Sequence, residues 1–87
     1  MDTLTTIQRL AAERLEVSME TVLRARTFAE AGIDSLTTLD LITSIEASFG
    51  ITIAPEDLAD VRSLRDLATV VDRLVTRKSH ALEEALG

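Results

Sequence analysis

Apolar residues recur at helical spacing over most of the chain. Leu4, Ile7, Leu10, Ala11 and Leu15 fall on one side of a 3.6-residue period and predict a first helix over residues 3–16. From 17 to 33 the period fails. The segment reads as a long loop with a possible short turn begun by Ser18 and apolar anchors at Val22, Leu23 and Phe28. Leu36, Leu39, Ile42, Ile45 and Phe49 restore the period and predict a second helix over 35–49, with Asp34 suited to cap its start and Gly50 to stop it. Ile51-Thr52-Ile53 alternates like a strand but is too short to need a partner. Pro55 then opens a short third helix near 55–60, at a position where its missing N–H costs little. Ser63 and Asp66 have capping-box spacing, and Leu64, Leu67, Ala68, Val71, Leu74 and Val75 form the stripe of a fourth helix to about residue 77. Arg77 and Lys78 complement its dipole. Ala81, Leu82, Ala85 and Leu86 leave two readings for 79–87, a helix extension or a tail.

Three long helices, one short one and a long first loop predict an all-α fold, a small antiparallel four-helix bundle. It forms a single domain over 1–78, with no repeat or low-complexity run. Composition agrees, because 87 residues with 46% apolar content close one core but hardly two. Cysteine is absent, so packing alone must hold that core. No stretch approaches the roughly 20 apolar residues of a membrane span, and the reading is a cytoplasmic protein with no membrane insertion.

Charge sharpens the picture when divided along the chain. The net value is −6, yet residues 1–29 balance and residues 61–87 carry +1. Residues 30–60 hold Glu30, Asp34, Asp40, Glu46, Glu56, Asp57 and Asp60 with no Lys or Arg. The excess of negative charge therefore surrounds Ser35. Such a region repels nucleic-acid phosphates and steers basic protein surfaces, or is simply a solvated face that aids solubility.

Candidate chemistry is sparse. The one histidine, His80, lies far from Ser35 in sequence, no cysteine is present, and no glycine-rich phosphate loop or calcium-loop spacing occurs. A serine without a visible base is poorly placed for self-contained covalent catalysis, so the chain reads as no enzyme and no metal protein. What remains is Ser35 in Gly32-Ile33-Asp34-Ser35-Leu36, either an ordinary helix-start serine or a residue on which another enzyme acts.

Those residues carry a resemblance. Gly32-x-Asp34-Ser35-Leu36, the leucines and isoleucines behind it, Phe49-Gly50-Ile51-x-Ile53, and Ser63-Leu64 opening the last helix are similar to the acyl carrier proteins over residues 4–75. The resemblance implies that a phosphopantetheinyl transferase, with magnesium and coenzyme A, joins 4′-phosphopantetheine to Ser35. The arm's thiol then carries acyl groups as thioesters in fatty acid, polyketide or specialised lipid synthesis. Asp34 would cap the helix and present charge to the transferase, and Leu36 would be a surface anchor or core. Asp40, Glu46, Glu56, Asp57 and Asp60 would face the basic grooves of loading and downstream synthase enzymes. Thr37 and Thr38 depart from the acids that fatty-acid carriers often have there. The core, with only Phe28 and Phe49 as aromatics, either shelters an aliphatic cargo or is a plain aliphatic core. Length and a start at Met1 suggest a free-standing, monomeric carrier. Two alternatives stay open: an aminoacyl or peptidyl carrier loaded by a dedicated ligase or adenylating enzyme, and an acidic helical adaptor that never carries the arm.

Overall fold

The structure is a computed structural model that describes residues 2–86; Met1 and Gly87, the outer ends of the expected domain and tail, lie outside the described residues. The elements are α1 (Thr3–Leu15), α2 (Met19–Arg24), α3 (Ser35–Phe49), a 3₁₀ turn (Pro55–Leu58) and α4 (Leu64–Leu86), with no strand among the described residues. The all-helical bundle expected from the periodicity is therefore present, with four α-helices.

α1 is its hub, packing against α2, α3 and α4. Asp2 caps it, its Oδ1 accepting from the Thr5 N–H at 2.7 Å, and Ile7 and Ala11 are buried on its inner side. Glu16 ends it in the left-handed conformation, φ 56°, so that its N–H reaches back to the carbonyls of Ala12 and Glu13. The expected long loop contains α2, which the period could not reveal. It is two turns long and sends only Val22 into the core, so no stripe exists to read. Ser18 begins it as expected, accepting from the Thr21 N–H at 3.2 Å. Leu23 is not an anchor; it is 58% exposed, while Val22 beside it is buried. Phe28 does pin the segment. Its ring packs on the core and its N–H donates to the Arg62 carbonyl at 3.0 Å, tying this connection to the one before α4.

The core gathers Ile7, Ala11, Val22, Ile33, Leu41, Ile45, Leu67 and Val71, each fully buried aliphatic side chain contributing about 1.5–3 kcal/mol. Ser44 is buried among them with no partner for its hydroxyl. On α4, Leu64, Leu67, Ala68 and Val71 face inward as their spacing predicted. Ser63 accepts from the Asp66 N–H at 3.1 Å, but Asp66 returns its carboxylate to the Arg62 N–H, one residue earlier than a capping box would place it. The open question over residues 79–87 is answered for the described part: α4 runs unbroken to Leu86, past the expected end near 77, and every residue from Thr76 to Leu86 is exposed.

Candidate functional site: the N-terminus of α3

Ser35 is the first residue of α3 and is exposed. The chain reaches it through Gly32, whose φ of 80° lies in the left-handed region, and through Ile33, which is buried and whose N–H donates to the Phe28 carbonyl at 2.9 Å. A buried residue two places before an exposed one fixes where the serine emerges. Asp34 caps the helix as expected. Its Oδ1 accepts from the Thr37 N–H at 2.8 Å, and its carbonyl accepts from the Thr38 N–H at 2.8 Å and the Thr38 hydroxyl at 2.7 Å. The Thr37 N–H bond holds the Asp34 carboxyl below the usual aspartate range, with a further side-chain bond to Thr37 adding to it. Thr37 and Thr38 are thus bound into the cap.

Leu36 is 70% exposed and Leu39 is 64% exposed, so neither belongs to the core. For Leu39 this corrects the expected stripe, and the reason is geometric. Each residue advances about 100°, so a step of three falls about 60° short of a full turn. Leu36, Leu39, Ile42 and Ile45 are all one such step apart, and the row winds half-way round the helix. Its far end, Ile42 and Ile45, is buried with Leu41, which the stripe missed; its near end lies on the surface beside Ser35 and Asp40. The exposed corner of α3 therefore offers a hydroxyl, two leucines and a carboxylate.

The acidic segment divides in two. Glu30 accepts from the Arg26 and Thr27 N–H groups at 2.8 and 3.1 Å, and Glu46 from the Ile53 N–H at 2.8 Å. Asp57 accepts from the Ala54 N–H at 3.0 Å and lies 3.7 Å from Arg73. With Asp34, these carboxylates hold backbone together. Asp40, Glu56 and Asp60 are exposed and, among the described residues, bound to no side chain or backbone donor. Of the acids expected to meet partners, Glu46 is thus already engaged through one oxygen and Asp57 through both.

No group of three or more metal-ligating side chains occurs among the described residues, and none of their helices is long and apolar enough to cross a membrane. His80 is on the exposed part of α4, at the other end of the chain's last helix from the Ser63 cap.

Residues 5–71 match the family model described as a phosphopantetheine attachment site. The chain belongs to this family. It is 28% identical over 79 residues to acyl carrier protein 5, chloroplastic, of Arabidopsis thaliana, covering 90% of this chain and 57% of that protein. It is 35% identical over 52 residues to acyl carrier protein 1, chloroplastic, of Hordeum vulgare, covering 60% of this chain and 35% of that protein. The chain therefore matches only about a third to six-tenths of the length of such relatives. The crystal structure of an acyl carrier protein from Thermotoga maritima superposes with a TM-score of 0.71 at 29% identity, over 84% of this chain and 86% of that one. Proteins of this family are carriers and not enzymes, and they bear 4′-phosphopantetheine covalently.

The corner at Ser35 fits that group. The hydroxyl is open to an approaching enzyme, and a phosphate there would meet first-turn N–H groups and the positive end of the α3 dipole. Gly32 itself stands in open space, with nothing within 4 Å of where a side chain would start. Asp34 is the opposing element, placing a carboxylate next to the new phosphate.

Proposed function

We propose that Ser35 accepts 4′-phosphopantetheine from coenzyme A and that this chain carries acyl groups as thioesters on the arm's thiol. The observation that supports this most is the exposed Ser35 hydroxyl on the first residue of α3, held out by buried Ile33 and capped by Asp34, inside the region that matches the attachment-site family. In the transfer the Ser35 Oγ–P bond forms as a P–O bond of the coenzyme's pyrophosphate breaks. Adenosine 3′,5′-bisphosphate leaves with the electron pair of that bond, and the serine proton passes to a base of the transferase, the neighbouring Asp34 carboxylate being bound to the Thr37 N–H.

Leu36, Leu39 and Asp40 then form the surface that partner enzymes meet, with Glu56 and Asp60 extending its negative field; a transferase, a loading enzyme and synthase enzymes are the partners proposed. A cytoplasmic setting belongs to the same proposal. An aminoacyl cargo is a second reading, favoured by Thr37 and Thr38 standing where an acidic pair would serve fatty-acid partners.

The test is intact mass after incubation with coenzyme A, magnesium and a broad-specificity phosphopantetheinyl transferase. One phosphopantetheine on the wild type and none on Ser35→Ala is the expected result. A folded wild type that stays unmodified beside a modified control carrier would overturn it.

A further inference from the structure

The acid excess of residues 30–60 has a counterpart elsewhere in the fold. Where α1 packs against both α2 and α4, a partly enclosed cavity of about 240 Å³ opens at the start of α4. Its apolar wall is Leu4, Val22 and Leu64, of which the last two are buried, and its polar wall includes Gln8, Arg26 and Arg65. No lining residue is acidic and none comes from residues 30–60. In a chain of net charge −6, the only charged groups around this cavity are cations.

Both arginines are uncommitted. Arg24 pairs with Glu20 and Arg73 with Asp57, but neither Arg26 nor Arg65 has an ion pair or a side-chain hydrogen bond among the described residues. The acids nearest to them in sequence are turned to the backbone: Glu30 Oε2 accepts from the Arg26 and Thr27 N–H groups, and Asp66 Oδ2 from the Arg62 N–H. Two guanidiniums on one small cavity repel each other, and an anion held by both relieves that repulsion. The walls narrow which anion. A carboxylate matches the planar guanidinium fork, and Gln8 adds an amide N–H. Inorganic phosphate would satisfy the arginines and leave the apolar wall in water, whereas a carboxylate with a hydrocarbon body uses both walls. The volume falls below the roughly 300 Å³ at which drug-sized ligands begin to fit, so the body is small, about the size of a leucine side chain.

We propose that this cavity binds a small aliphatic carboxylate, its carboxyl group held by Arg26 and Arg65 and its hydrocarbon body laid against Leu4, Val22 and Leu64. The occupant bridges α1, the end of α2 and the start of α4. α2 has a single buried residue to hold it, so a ligand that joins it to both long helices stabilises the bundle increasingly as ligand concentration rises. Ser35 and its arm play no part in this binding, and none of the cavity's residues belongs to α3.

Titration of the full chain, followed by proton–nitrogen correlation NMR, tests it with sodium isocaproate, its neutral amide isocaproamide, and inorganic phosphate. Isocaproate is expected to shift the Gln8, Val22, Arg26 and Arg65 amides to saturation with a Kd of about a millimolar, and to raise the melting temperature as its concentration rises. Isocaproamide, which has the body without the charge, and phosphate, which has charge without the body, should each bind about tenfold more weakly. Arg26→Gln and Arg65→Gln should each weaken isocaproate about tenfold and leave the affinity for isocaproamide unchanged. Both side chains are exposed, so the variants are expected to fold, and their spectra away from the cavity check it. Equal binding of acid and amide, isocaproate binding unchanged in both variants, or no saturating shift at these residues would overturn the proposal. Phosphate binding more tightly than isocaproate would overturn it too, and would make the cavity a phosphate site.

Discussion

The two ends of α3 use acidic residues in opposite ways. At its start Asp34 closes the first turn through Thr37 and leaves the neighbouring Ser35 hydroxyl, Leu36 and Leu39 on the surface. At its end Glu46 reaches out of the helix to the Ile53 N–H, Gly50 turns the chain at φ 65°, and Lys78 from α4 closes over the Gly50 carbonyl. One end is held so that it can be approached; the other is held so that it cannot move. Formal charge is therefore a poor guide to a docking surface. A carboxylate that satisfies a backbone donor has part of its field already spent, and only those without such a donor, Asp40, Glu56 and Asp60, are fully available to a partner.

Substitutions at both ends and in the core between them put this contrast to the test. The largest effect falls on the shared core. Ile45→Ala, which leaves a cavity beneath both ends, is expected to lower stability by about 2–5 kcal/mol in urea denaturation. Next is the locked end. Glu46→Ala strands the half-buried Ile53 N–H and should cost about 1–3 kcal/mol, whereas Asp40→Ala, on the approachable end, should stay within about 0.5 kcal/mol of wild type. If the two cost the same, the division of the acids is wrong. Asp40→Arg should nevertheless slow partner encounter, more at low salt than at high, in stopped-flow kinetics.

The two glycines flanking α3 sharpen it further. Gly50→Ala should cost about 1–2 kcal/mol, since alanine is strained at φ 65° and its Cβ would stand 3.1 Å from the Lys78 Nζ. Gly32→Ala, at φ 80° but in open space, should cost only the backbone part. Smallest in size and opposite in sign is Ser44→Ala, which removes a buried hydroxyl without a partner and is expected to raise stability by up to about 1 kcal/mol.

Acid addresses the approachable end. Because the folded Asp34 carboxyl titrates below its ordinary value of 3.8, its capping contribution is present above that value and is lost as pH falls through the lower, folded one. Asp2 behaves alike at α1, its carboxyl lowered by its bonds from Thr5. Thermal melts of Asp34→Asn, which caps without titrating, should therefore depend less on pH below about 4 than those of wild type.

The positions of α1, α3 and α4 were legible because each has enough turns for its apolar residues to repeat. α2 was not legible, for two turns with a single buried valine carry no period, and its place is fixed by packing on α1. The serine and its cap were legible from five adjacent residues. The leucine pair beside them was not, since a row of threefold steps looks like a stripe in the sequence and is a spiral on the helix.

The local residue pattern was enough to specify an all-helical chain, the capped start of α3 with Ser35 upon it, and an excess of acid confined to residues 30–60. It determined these because periodicity, capping and charge are properties of neighbours along the chain. Packing in three dimensions settled which acids are tied to backbone donors, which leucines face water, and how far α4 outruns the bundle. Each of these depends on what another element places opposite the residue, and no local pattern records that.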